Sequence, residues 1–293
     1  MHFSSVAHGC YRKCGSVAVV VAFILAMLLA LPLRADVLVS PQRVYLDDDK
    51  RSATVILRNP SSGPRTYRLE WLEQRMSEDG VYSEYKEGEE QKHASASPYL
   101  RLSPRQITVL PNSNQSVRVE FKPGKGMKPG EYRSHMIFRV VEELSEPMSV
   151  QKIMGEGDNK GMTLMVSMQM SVAIPVVVRH QVAETPQVKI ASVDVVPATE
   201  PGQPLQLAVL MESSGLAGCV GRVSVDMQRN AGAAVERIGT ADNISIFAEV
   251  GKRRLVVNLR DSSIPAGAWV RVAYEGVDEY AGILWDEKVF QIR

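Results

Sequence analysis

Residues 162–178 read MTLMVSMQMSVAIPVVV. Leu164, Val166, Met168, Met170, Val172 and Ile174 fall on one side of an extended chain. Thr163, Met165, Ser167, Gln169, Ser171 and Ala173 fall on the other. A side-chain period of two is that of a β-strand. The run is long for a strand, and two readings fit it. It is a central core strand, or an edge strand whose side chains are offered to another protein. The methionines suit a partner surface that must adapt, but methionine also fills cores.

The same period recurs on both sides of this run. Ala53, Val55 and Leu57 alternate with Thr54, Ile56 and Arg58. Tyr67, Leu69 and Trp71 alternate with Arg68 and Glu70. Val117, Val119 and Phe121 alternate with Arg118 and Glu120, and Met136, Phe138 and Val140 follow Gly130-Glu131. One face of each strand is therefore apolar and the other wet. Asn59-Pro60-Ser61-Ser62-Gly63-Pro64 is a turn cluster. Beyond a polar break at His180–Pro186, further strands are expected over 188–196, 205–211, 220–227, 244–250, 254–259, 269–274 and 283–292. Short strands at regular spacing predict a sandwich. The fold class is all-β, with two immunoglobulin-like β-sandwich domains in tandem over 36–182 and 186–293. Residues 76–91, acidic and polar, and 144–161 read as loops, the first of them solvated.

The chain starts differently. Residues 17–33, VAVVVAFILAMLLALPL, carry no charge, follow Arg12-Lys13 and precede Arg34-Ala35. A basic start, an apolar run and a small residue read as a secretory signal peptide over 1–35, cut after Ala35. An uncleaved anchor is the alternative, since such a run just spans a bilayer. Cleavage removes Arg12, Lys13 and Arg34 and no acid, taking the formal charge from +1 to −2. Cys10 and Cys14 leave as well. Cys219 alone forms neither an internal disulfide nor a zinc cage.

The composition excludes several classes. With 45% apolar and 23% charged residues the chain is an ordinary folded one. A charge near zero gives no basic footprint for nucleic acid. Outside the leader the histidines are His93, His135 and His180, with no metal-binding spacing and no Gly-rich phosphate loop. Ser134 and His135 are neighbours on an expected strand, so they point to opposite faces and cannot act as nucleophile and base. No catalytic residue, metal site or cofactor is expected, and the protein reads as a non-enzyme.

Four stretches in order carry a resemblance. They are Gln42-Arg43-Val44-Tyr45 with Lys50-Arg51-Ser52-Ala53-Thr54-Val55 and Asn59; Ser103-Pro104, Leu110-Pro111 and Gln115-Ser116-Val117-Arg118-Val119; Lys128-Pro129-Gly130-Glu131-Tyr132-Arg133-Ser134-His135; and the alternating strand ending at Arg179. In their order and spacing they resemble the PapD-type periplasmic pilus chaperones. The resemblance implies a periplasmic chaperone that caps pilin-like subunits by donor-strand complementation and delivers them to an outer-membrane usher. The donor strand would be 162–174, with Leu164, Val166, Met168 and Met170 entering the subunit's groove. Each side chain fully buried there would contribute ~1.5–3 kcal/mol. The same strand leaves room for self-association with a second copy.

The family anchors the subunit's terminal carboxylate on two cations. The first matches Arg43; the second, a lysine late in the donor strand, is here Pro175. Arg133 offers a substitute if strands 130–141 and 162–178 form a hairpin that pairs residues whose numbers sum to about 308, since 133 then faces 175. Arg179 matches a family arginine at the domain junction, whose glutamate partner has become Arg133. Two other readings stay open: a two-domain immunoglobulin-like surface adhesin or structural protein, and an exported hydrolase, for which no site is visible.

Overall fold

The computed structural model describes residues 37–86, 88–91, 93–141, 171–196, 203–261 and 263–292. The signal peptide, and Leu164, Val166, Met168 and Met170 of the expected donor strand, lie outside these residues. The strands of the first half are β1 (Leu38–Ser40), β2 (Val44–Asp47), β3 (Ser52–Arg58), β4 (Arg65–Leu72), β5 (Gln74–Met76), β6 (Tyr82–Glu84), β7 (Ala94–Ser95), β8 (Leu100–Ser103), β9 (Gln106–Val109), β10 (Asn114–Phe121), β11 (Gly130–Val141) and β12 (Val172–His180). Those of the second half are β13 (Gln187–Val196), β14 (Gln206–Ser214), β15 (Cys219–Gln228), β16 (Glu236–Ile246), β17 (Lys252–Asn258), β18 (Trp269–Gly276) and β19 (Leu284–Gln291).

The chain is mostly β-strand, organised into two sheet systems that resemble immunoglobulin sandwiches. In the first, a sheet β1-β3-β10-β8 faces a sheet β2-β12-β11-β4-β9. The expected alternation fills the space between them. Val55, Leu57, Val117 and Val119 come from one sheet, and Tyr67, Leu69, Met136, Phe138, Ile174, Val176 and Val178 from the other. Each such side chain stabilises the fold by ~1.5–3 kcal/mol relative to exposure. The second system sets β13-β14-β17 against β16-β15-β18-β19, around Leu207, Val209, Met211, Val223, Val225, Val270, Val272 and Tyr274.

The turn cluster after β3 has a specific structure. Asn59 is buried, and its Nδ2 donates to the carbonyls of Gly63 (2.8 Å) and Val109 (3.0 Å). Its Oδ1 accepts from the Ser61 amide and hydroxyl. A buried amide with every group paired fixes a turn where an apolar residue could not.

Three expectations are corrected. The strand expected at 244–250 lies at 236–246. Past Ile246 the chain leaves the sheet, because Phe247 buries against Met76 and Val177 of the first sandwich. The segment 76–91 is not simply a solvated loop, since β5 and β6 form a hairpin that buries Met76. The strand pairing also differs. Partners across β11 and β12 sum to 310, so His135 faces Pro175 and Arg133 faces Val177.

Candidate functional site

Successive strand residues point to opposite faces, and on β11 and β12 this sorts the chemistry. Met136, Phe138, Ile174, Val176 and Val178 go to the core. Glu131, Arg133 and His135, with Pro175, Val177 and Arg179, take the other face. β2 runs parallel beside β12, pairing Val44–Asp47 with Val176–Arg179. Arg43, one residue before this ladder, therefore lies beside Pro175. The second sandwich lies against this face.

Arg43 sits in a cleft of about 530 Å³ lined by Gln42, Tyr45 and Lys50 on one side and Asn243, Asp278 and Glu279 on the other. Its Nη2 donates to Ser245 Oγ at 2.8 Å, and its Nη1 lies 3.5 Å from Asp278 Oδ2. The Arg43 side chain is 12% exposed and that of Asp278 is 58% exposed, so solvent weakens the ion pair. The buried Nε has no partner among the described residues. Both terminal nitrogens are thus engaged, and a carboxylate entering the cleft would compete with the solvent-weakened Asp278 pair for the guanidinium.

Arg179 is the hub of the contact between the sandwiches. Its Nε donates to Glu131 at 3.1 Å, Nη1 to Glu279 at 2.6 Å and Nη2 to the Gly218 carbonyl at 3.1 Å. Its plane lies over the rings of Tyr45 and Tyr280. Burial opposes its charge, but Glu131 and Glu279 outweigh burial and hold the guanidinium protonated above its ordinary range. Burial pushes the Glu131 carboxyl up, against Arg179 and the Gly218 amide, which donates to it at 2.9 Å. Gly218 is required here: a Cβ would stand 2.7 Å from the Ile246 carbonyl and 2.9 Å from Glu131 Oε1. The acidic partners of Arg179 are thus Glu131 and Glu279. A strand position two residues from Arg133 on the same face was the available signal for the first.

Arg133 is placed otherwise than a cleft anchor requires. It is 2% exposed, its Nη2 donates to Glu249, and its guanidinium stands 4.1 Å over the Phe247 ring. Nε and Nη1 have no partner among the described residues. Its carboxylate comes from the chain itself.

His135, the next outward residue, is buried under Tyr82, with ring centroids 5.1 Å apart. Burial, with Arg133 nearby, lowers its pKa to about 3. Ser134, on the opposite face, donates to Glu73 Oε1 at 2.7 Å and accepts from the Ala96 and Ser97 amides. Glu73 also accepts from Ser95 and pairs with His93 at 3.1 Å. Burial pushes the Glu73 carboxyl up, but bonds from His93, Ser134 and Ser95 outweigh it and hold it below its ordinary value. Ser134 and His135 are thus engaged with separate partners on separate faces. Among the described residues no group of His, Cys, Asp and Glu is disposed to hold a metal ion.

One further feature adjoins the cleft. β12 pairs with β11 from Val172 to His180, but with β2 only from Val176 onward. Along Val172–Pro175 no described strand pairs with the other edge of β12. Pro175, which has no N–H, sits where β2 pairing stops, an edge position that a strand tolerates.

No family profile matches the chain, and no curated protein matches it. Among solved structures, the YadV chaperone is 13% identical with a TM-score of 0.44, covering 87% of this chain and 100% of that one. The CupB2 chaperone of Pseudomonas aeruginosa is 11% identical with a TM-score of 0.43, covering 87% and 100%. The E. coli chaperone DraB is 13% identical with a TM-score of 0.43, covering 88% and 96%.

Proposed function

We propose that this chain is a non-enzymatic periplasmic chaperone. It binds pilin-like subunits that lack a strand, caps them by donor-strand complementation, and delivers them to an outer-membrane usher. The observation that carries the reading is the edge of β12 over Val172–Pro175, which no described strand pairs and which ends beside Arg43. An unpaired edge is a template for another strand, and a guanidinium at its end is a receptor for that strand's terminal carboxylate. The four sequence stretches that resemble the family support the same reading. The donor side chains are Leu164, Val166, Met168 and Met170, immediately upstream of this edge. Arg43 is the carboxylate anchor, with Asp278 and Ser245 as its partners in the free protein. Arg179 sets the junction. No cofactor is needed, because subunit folding and strand exchange supply the free energy.

Coexpression with a pilin-like subunit lacking its last strand tests this. Wild type copurifies with the subunit. Arg43→Ala loses ~2–5 kcal/mol of binding, since a buried carboxylate is left unpaired, and Met168→Glu loses capture by placing a charge in the groove. Equal capture by all three removes edge and anchor from the interface. Absence of capture by wild type favours the surface adhesin reading.

A further inference from the structure

The hairpin of β5 and β6 belongs by sequence to the first sandwich, and it contacts the second as well. Its turn is closed by bonds from the Ser77 amide to the Val81 carbonyl (3.0 Å) and from the Gly80 amide to the Ser77 carbonyl (2.9 Å). At the tip, the Glu78 carbonyl accepts from the Arg254 backbone amide at 2.8 Å and from Arg253 Nη1 at 3.2 Å. Gly80 has φ +80, and a Cβ there would overlap the Arg253 guanidinium. The left-handed φ favours glycine at this position, and any side chain there would displace the Arg253 guanidinium.

The two residues that flank the turn, Met76 and Tyr82, grip both sandwiches. Met76 packs in a small buried cluster with Val177 of β12 and Phe247. The Tyr82 ring stands 5.1 Å from His135 and 6.4 Å from Phe247. Phe247 in turn carries Arg133 on its face. Met76 and Tyr82 are opposite each other across the hairpin, so one cross-strand pair brings the two sandwiches together.

We infer that the β5–β6 hairpin is a strap that fixes the angle between the two sandwiches, and with it the width of the Arg43 cleft. The connection to the cleft is short. Ser245, Phe247 and Glu249 follow one another at the end of β16 and in the turn after it. Phe247 meets the strap, Glu249 pairs with Arg133, and Ser245 holds Arg43. Movement of the strap moves Phe247, and the segment that carries Phe247 also carries the hydroxyl on Arg43. The Arg179 junction contains none of the strap's residues, so the strap is a second and separate fastening. This inference stands whatever the cleft binds.

Two variants of the full chain test it, read by amide hydrogen exchange and small-angle X-ray scattering. Met76→Ser with Tyr82→Ser removes the grip of the flanks. Gly80→Ala strains the tip at its positive φ and displaces the Arg253 guanidinium from the Glu78 carbonyl and, lying in the turn, leaves both cores untouched. In each variant the Arg254 amide is expected to exchange about tenfold faster, and the scattering curve to broaden toward a spread of interdomain angles. The Val117 and Val209 amides keep their protection, which shows both sandwiches folded. Should the double variant lose that protection, Gly80→Ala decides alone. An unchanged Arg254 rate overturns the inference. So does a faster rate with an unchanged scattering curve, because the hairpin then rests on the second sandwich without holding it.

Discussion

Arg179 and Arg133 lie on adjacent strands of one sheet, face the same second sandwich, and solve the problem of a buried charge in opposite ways. Arg179 uses all three of its nitrogens, on two carboxylates and a carbonyl, and lies against two tyrosine rings. Arg133, the more buried, uses one nitrogen on one carboxylate and lays its plane on Phe247. Desolvating a guanidinium costs several kcal/mol, which only complete hydrogen bonding repays. The Arg179 cluster is therefore the better compensated of these two contacts between the sandwiches. The Arg133 pair gives them a defined relation at little net gain.

The sharpest test of that contrast is Arg179→Met. It strands the buried Glu131 and is expected to lower unfolding stability by ~3–5 kcal/mol in urea titration; a loss below ~1 kcal/mol would make the cluster ornamental. Next comes Glu249→Gln, which leaves Arg133 with no counter-charge and costs about 3 kcal/mol. Pairing it with Arg133→Met should recover most of that loss, and failure to recover would show that the Arg133 pair is itself a strong contact. Gly218→Ala should cost ~1–3 kcal/mol by overpacking the Arg179 junction, seen as a lower denaturant midpoint. A pH-dependent effect belongs to His135, whose folded pKa of about 3 lies below its unfolded 6.5. As pH falls below 6.5 the unfolded chain takes a proton that the folded one refuses. Stability should then drop by up to about 1.4 kcal/mol per pH unit toward pH 3. His135→Leu should flatten that slope; an unaltered slope would place the acid lability elsewhere.

The strands were legible because their cores alternate. Val55, Leu57, Val117, Val119, Met136 and Phe138 each announce an inward face. The register of β11 on β12 was not legible to the residue, since many residues separate the two strands in sequence and a sum of 308 or 310 satisfies the same alternation. That difference of two decides whether Arg133 or His135 faces Pro175. The strand expected at 244–250 failed at Phe247 for a related reason: an apolar residue in a strand pattern reads as core of its own sheet, while this one is core of the contact between sandwiches. The hairpin did carry a signal in Asp79-Gly80, a strong hairpin turn dipeptide, set between Met76 and Tyr82. The acidic residues around it masked that signal. Glu249 and Glu279 could not be paired with their arginines at all, because that pairing exists only once two separately folded units meet.

Among the described residues β2 has β12 as its one strand partner in the sheet, and Val44 meets Val176 there. The strand is among the first parts of the first sandwich to be synthesised and its partner among the last. Closing so long a loop is slow and entropically costly. Nascent chain shorter than this therefore has no finished first sandwich, however many of its other strands have formed. A chain cut before Val176 loses two strands rather than one, and takes with it the ladder that places Arg43.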